Sequence, residues 1–312
     1  MLKSGLCMKR QALTLVIGIL IGALLFGGTL AVAATVQANT AAFDVSVDGT
    51  KIDATAYSIE GRTYLQLRDI AKALDIGLWW DEANRIARIE TDKKYDPDYA
   101  GPFASGRLSV IGDSITGLYP QHADKNWPMW VQELLQMATL DNKGLTSTTI
   151  AKQVGRTDSM LERYTLMDAN ADLVCVMGGS NDCHRGVPIG TLGNGDEYTF
   201  YGAVESLVKG LINRYPTKTI VFIAPIQRGN IPDGQRPMTD YNAVIMEICA
   251  IYSIPVYDAY NNVGISVNIP AQVSAFFNPA ELAAPVHPNN AGHERIGRAV
   301  AAFVNSSVAG VK

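Results

Sequence analysis

From residue 107 onward, short apolar runs alternate with longer stretches in which apolar residues recur every three or four positions. The runs at 108–111, 173–177, 220–224 and 255–257 predict strands, and the stretches at 127–137, 200–214, 241–252 and 291–304 predict amphipathic helices. The runs are apolar at nearly every position, which is the pattern of strands buried on both faces. Together with helices between them, they predict an α/β fold: a parallel sheet in three layers, with helices above and below. Ligands of such sheets bind at the carboxyl ends of the strands. Residues 112–116 follow the first run and 178–182 follow the second, so both segments are expected on one rim.

The upstream pattern is different. Phe43-Asp44-Val45-Ser46-Val47 alternates, Asp48-Gly49 turns, and Lys51-Ile52 continues; Ala56 to Ile59, Glu60-Gly61 and Arg62 to Leu65 repeat the scheme. These are hairpin signals. Helical spacing over 67–74 and strand-like segments at 79–81 and 85–89 complete a small, mainly-β α+β domain over 39–92. Residues 93–106, polar and rich in Pro and Gly, read as a linker to a large domain over 107–312.

The first 38 residues stand apart. Lys3, Lys9 and Arg10 precede an uncharged apolar run over 13–36, closed by small residues. This layout predicts either a cleaved secretory signal or an uncleaved membrane anchor. Both place the remainder outside the cytoplasm, in an extracellular or cell-surface location. The net charge of −4 and the lack of a dense basic stretch argue against a nucleic-acid partner. Beyond Cys7, the cysteines are Cys175, Cys183 and Cys249, an odd number that argues against a disulfide scaffold.

The candidate chemistry lies in four short blocks. Gly112-Asp113-Ser114 puts a hydroxyl just past a strand, and His287-Pro288-Asn289 supplies an imidazole near the last helix. A serine hydroxyl is a poor nucleophile until a base removes its proton, so the pair suggests acyl transfer. Between them lie Asn142-Lys143-Gly144 and Gly179-Ser180-Asn181-Asp182. In this order the four blocks resemble those of the SGNH, or GDSL-type, hydrolases over about 200 residues of the chain. The resemblance implies a flavodoxin-like α/β/α hydrolase domain. It also implies Ser114 as nucleophile, His287 as base, and an oxyanion hole made by the backbone N–H of Ser114, that of Gly144 and the side-chain amide of Asn181. Residues 39–92 resemble the small domain named after the N-terminal region of copper amine oxidases, a module frequent on secreted proteins of Gram-positive bacteria. No His, Cys or Met cluster there is suited to copper, and the module reads as a spacer or cell-wall adhesion unit.

One position departs from the family. The usual Asp three residues before the histidine is Ala284 here. Three explanations stay open: another carboxylate, Glu281 or Asp258, orients the ring; a backbone carbonyl does so; or catalysis is weakened. Asp113 and Asp182 read as loop-bracing acceptors, and His293 as structural. His122 and His184, with Asp182 and Cys183, show no ligand spacing, so neither a metal nor another cofactor is expected. Trp127 and Trp130 read as core residues, with sugar stacking as the alternative. The expected activity is Ser–His hydrolysis of small acyl esters, acetyl above all, on a carbohydrate or wall polymer. A lysophospholipase or thioesterase, or a silent carbohydrate-binding protein on the same scaffold, are the alternatives.

Overall fold

The computed structural model describes residues 39–40, 44–117 and 123–308. The first 38 residues, including the 13–36 run expected to be a signal or anchor and Cys7, lie outside the described residues, and so does His122. Contacts divide the chain into two compact units, one ending at Leu74 and the other starting at Asp75.

The first unit contains β1 (Asn39–Thr40), β2 (Val45–Val47), β3 (Thr50–Ile52), β4 (Ala56–Ile59), β5 (Arg62–Leu65) and helix α1 (Leu67–Leu74). β2 and β3 form a hairpin, and β1, β4 and β5 an antiparallel sheet in that order. The turn residues Asp48 (φ 50°) and Gly49 (φ 80°), then Glu60 (φ 52°) and Gly61 (φ 74°), are all left-handed. Paired positive φ values match the twist of tight hairpins, and Gly in the second place favours them.

The second unit opens with the hairpin β6 (Gly77–Asp81) and β7 (Ile86–Glu90). Asp81 ends β6 fully buried, at 0% exposure. It accepts bonds from Arg88 Nε at 2.7 Å, Asn305 Nδ2 at 2.8 Å, Asn84 Nδ2 at 2.9 Å and Asn84 N at 3.1 Å. Burial alone would raise its pKa, but these donors outweigh burial and hold it below the usual carboxylate range. Asn84 also donates to the carbonyl of Ala302 at 3.2 Å. Asp81→Ala leaves these donors facing a void and is expected to cost about 3 kcal/mol in urea unfolding. Because the folded pKa is depressed, this contribution is present above about pH 4 and fades as the pH falls through the lowered value.

Next come β8 (Arg107–Gly112), α2 (Trp127–Leu134), β9 (Thr139–Gly144), α3 (Met160–Arg163), β10 (Leu173–Met177), α4 (Ser180–Arg185) and α5 (Phe200–Arg214). The chain continues through β11 (Thr219–Ala224), α6 (Met238–Ile251), β12 (Val256–Asp258), α7 (Ala259–Asn262), α8 (Pro270–Phe276) and α9 (Asn290–Phe303). The strands form one parallel sheet in the order β12-β11-β10-β8-β9. The period of two sorts its side chains. Ile111, Val174, Val176, Ile220 and Phe222 face one core with Phe200, Leu207 and Ile245 from α5 and α6. Leu108, Val110, Cys175, Val221 and Ile223 face the other with Trp127, Val131, Ile296 and Val300 from α2 and α9.

Strand β9 is absent from the apolar pattern. Its sequence, Thr-Leu-Asp-Asn-Lys-Gly, is polar and half-buried, as an edge strand allows. From β8 the chain moves outward to β9 and then crosses to β10 on the other side. This reversal opens a crevice at the carboxyl end of β8.

Candidate active site

Ser114 stands two residues past β8, in a tight turn closed by bonds from Thr116 N at 3.2 Å and Gly117 N at 2.9 Å to the carbonyl of Asp113. Its hydroxyl is 2.9 Å from His287 Nε2. His287 precedes Asn289, whose Oδ1 caps α9 by accepting from Gly292 N at 3.0 Å. The loop between α8 and α9 closes on itself where Asn278 N donates to the carbonyl of His287 at 2.9 Å. A short turn, Pro279–Glu281, projects from this closed loop. It brings the Glu281 carboxylate to His287 Nδ1, at 2.8 Å for Oε1 and 3.0 Å for Oε2. Glu281 Oε2 also accepts from the backbone N–H of His287 at 2.9 Å. The ring is therefore fixed from one side in a single orientation. Asp258, the other candidate carboxylate, is committed elsewhere: it caps α7, accepting from Asn261 N at 3.2 Å and Asn261 Nδ2 at 2.7 Å.

Ser114 and His287 open onto a cleft of about 540 Å³ lined also by Thr146, Ser147, Asn181 and Asn230. Asn181 Nδ2 donates one bond, to the carbonyl of Thr148 at 3.0 Å, which fixes the amide and leaves it a second N–H. Gly144 differs from the expectation. Its N–H donates to Asn142 Oδ1 at 2.8 Å, and Gly144 is not part of the cleft wall. Glycine is needed there for another reason: a Cβ at 144 would collide with the backbone of Gly117. The cleft residues from this loop are Thr146 and Ser147, the latter held at φ 61°. Positive φ at a non-glycine residue is strained and collects at functional sites.

A model of the GDSL-like Lipase/Acylhydrolase family matches residues 110–295. The chain belongs to this family. Membership in this GDSL-like group, a family of carboxylic ester hydrolases, extends over both Ser114 and His287. The model of the Copper amine oxidase N-terminal domain matches residues 46–95. A solved structure from Lactobacillus plantarum is 32% identical with a TM-score of 0.58, covering 65% of this chain and 98% of that one. A possible lipase from Chitinophaga pinensis shares the fold at 21% identity and a TM-score of 0.53, covering 64% of this chain and 97% of that one. An arylesterase of Vibrio mimicus is 32% identical over 89 residues. That match spans 27% of this chain and 42% of the arylesterase, less than half of its length.

Around the GDSL-type site, two buried carboxylates hold loops. Asp113 Oδ1 accepts from Ile115 N at 2.9 Å. Burial pushes its pKa up, against the pull of that N–H and of the Arg228 and His287 charges. Asp182 accepts from Ile150 N and Ala151 N, both at 2.9 Å, and so ties the segment after β9 to α4. Burial pushes Asp182 up to about 7, only partly opposed by these two N–H donors. A raised carboxyl keeps its proton in the folded state while the unfolded chain loses its own near pH 4. Stability from this group is therefore greatest at low pH, declines as pH rises from about 4 to 7, and is level above. Measured as Tm, the advantage of wild type over Asp182→Asn is expected to shrink over that range. An advantage that grew with pH would mean an ionised Asp182.

Two arginines at the site, Arg163 and Arg228, carried no signal in the sequence. Arg163 donates to the carbonyl of Lys143 at 2.7 Å, to Thr148 Oγ1 at 3.2 Å and to the carbonyl of Gly112 at 3.4 Å. It thus joins the ends of β8 and β9. Arg228, on the loop after β11, lines the cleft. His184 bonds the carbonyl of Asn230 at 2.9 Å through Nδ1. His293 is buried and receives Trp127 N at 3.3 Å on its Nδ1. Trp127 is buried in the core, and Trp130 lies beneath the Lys125 ammonium, 3.6 Å from the ring centroid. Neither indole lines the cleft. Cys175, Cys183 and Cys249 are free, buried thiols.

Proposed function

We propose that the protein is a secreted or surface-tethered serine esterase that removes small acyl groups, acetyl above all, from a carbohydrate or cell-wall polymer. The observation that carries this reading is the hydrogen-bonded series Ser114, His287, Glu281 opening onto a polar cleft. Ser114 Oγ attacks the ester carbonyl while His287 Nε2 takes its proton. The same nitrogen returns the proton to the leaving alcohol as the carbonyl re-forms on Ser114. Water then repeats the sequence and releases the acid. Glu281 holds the proton on Nδ1, which keeps Nε2 free to act as base. The Asn181 amide, with the backbone N–H groups of Ser114 and Ser147, is the proposed donor set for the oxyanion.

The small acyl preference draws support from the lining, where Ala284 and Val286 are the apolar side chains among polar ones. A long acyl chain gains about 0.8 kcal/mol per buried methylene only against apolar walls. The lysophospholipase reading is therefore disfavoured, and the contact of Glu281 with the ring disfavours a silent scaffold. The leader and the copper amine oxidase-like module support export and wall association. The chain-length series of p-nitrophenyl esters tests acyl size. Turnover is expected to fall by about tenfold or more from acetate to octanoate, reflecting lost fit rather than added binding. A kcat/KM rising with chain length would reject the small-acyl reading.

A further inference from the structure

The cleft onto which Ser114 opens is basic, although the chain as a whole is acidic at −4. Arg185, Arg228 and His184 line it, and Glu281, its one acidic lining residue, is bonded to His287. Arg228 is 8% exposed. Its Nη1 donates to the carbonyl and to Oγ of Ser180, both at 2.9 Å, and its Nε donates to Asn230 Oδ1 at 2.7 Å. All three acceptors are neutral. Burial draws the guanidinium pKa down, and the carboxylates of Asp113 and Glu281 oppose this. Arg185, exposed at the end of α4, donates through Nη2 to the carbonyl of Ser147 at 3.2 Å. Bracing Ser180 against Asn230 does not need a charge, since a neutral amide would serve at a smaller desolvation cost. A buried cation held by neutral acceptors and bordering an open cleft is suited to an anion arriving from solvent.

We propose that this cleft selects esters whose alcohol portion carries a carboxylate or phosphate group, received by Arg228 and Arg185. The proposal rests on the esterase reading above. If the acyl group is as small as acetyl, it has no room for a second charged group, so the anion belongs to the sugar or polyol. An acidic glycan or a phosphate-bearing polyol of a wall polymer has this chemistry.

Three acetyl esters test it: an O-acetylated methyl glucuronoside, its neutral methyl ester, and an O-acetylated methyl glucoside 6-phosphate, with acetate release as the readout. Wild type is expected to favour one or both anionic esters by about tenfold or more in kcat/KM, chiefly through KM. The favoured ester tells whether carboxylate or phosphate is the preferred source. The preference is expected to shrink in 1 M salt, where screening acts within about 3 Å. Arg185→Gln and Arg228→Gln are each expected to reduce the anionic-to-neutral ratio by about tenfold. Should Arg228→Gln fail to fold, Arg185→Gln at the exposed helix end and the salt series still decide the matter. Equal kcat/KM for all three esters, or a preference indifferent to both Arg185→Gln and salt, would overturn the subsite. If Ser114→Ala then abolishes hydrolysis of the neutral ester, the subsite alone is lost. If Ser114→Ala leaves that hydrolysis intact, the esterase reading is lost with it.

Discussion

Ser114→Ala is expected to lower kcat for p-nitrophenyl acetate by about 10⁴- to 10⁶-fold, with little change in KM. The covalent step needs the hydroxyl, which lies 2.9 Å from the base that activates it. Removing Oγ leaves the cleft and its amide donors in place, so substrate still binds and only background catalysis remains. The alanine also fits, since Ser114 is 9% exposed and its side chain is hardly larger than the replacement. Stopped-flow or steady-state release of p-nitrophenolate by wild type and variant, at matched concentration and with matching circular dichroism, measures the difference. Equal rates would remove the esterase reading altogether.

The second large effect is expected at Glu281. Glu281→Gln should reduce kcat by about 10²- to 10⁴-fold, whereas Asp258→Asn should stay within about twofold. The carboxylate does two things at once: it accepts from His287 Nδ1 and from the His287 backbone N–H. A glutamine has one carbonyl oxygen for both duties. If its amide N–H₂ turns toward the ring, it favours the tautomer with the proton on Nε2, which cannot act as base toward Ser114. It also lacks the negative charge that stabilises the imidazolium formed during the reaction. Asp258 serves as the control because its oxygens cap α7. A loss at Asp258→Asn as large as that at Glu281→Gln, with the fold intact, would contradict this assignment.

The contrast between these two carboxylates shows what the sequence makes legible. Strand β10 is readable because each of its five positions is buried, so the apolar run and the element coincide. The turns at Asp48-Gly49 and Glu60-Gly61 are readable because positive φ has a strong residue preference. Strand β9 is not, since an edge strand needs little apolar surface. The Ser–His pair is legible through short blocks next to strand ends. The partner of the histidine is legible only as a choice between Glu281 and Asp258, because Glu281 reaches the ring through a loop closed by Asn278 and His287 backbone atoms, and loop closure leaves no periodic trace. The amide donors fail in a different way. Gly144 has the residue type expected of a donor, yet the side chain two positions earlier, Asn142, takes its N–H. Ser147 occupies the strained position without being glycine, so its type conceals its geometry.

The buried bonds of Asp81 bear on how this enzyme can be rearranged. The stretch matched by the copper amine oxidase model runs to residue 95, but its final hairpin is bonded through Asp81 and Asn84 to Asn305 and Ala302 at the other end of the chain. A gene fusion spliced at the polar segment 93–106 would strand these C-terminal groups without their partners. The natural cutting point for grafting the catalytic half onto another protein is ahead of Asp75, carrying the hairpin along as a clasp between the first and last segments of the transplanted piece.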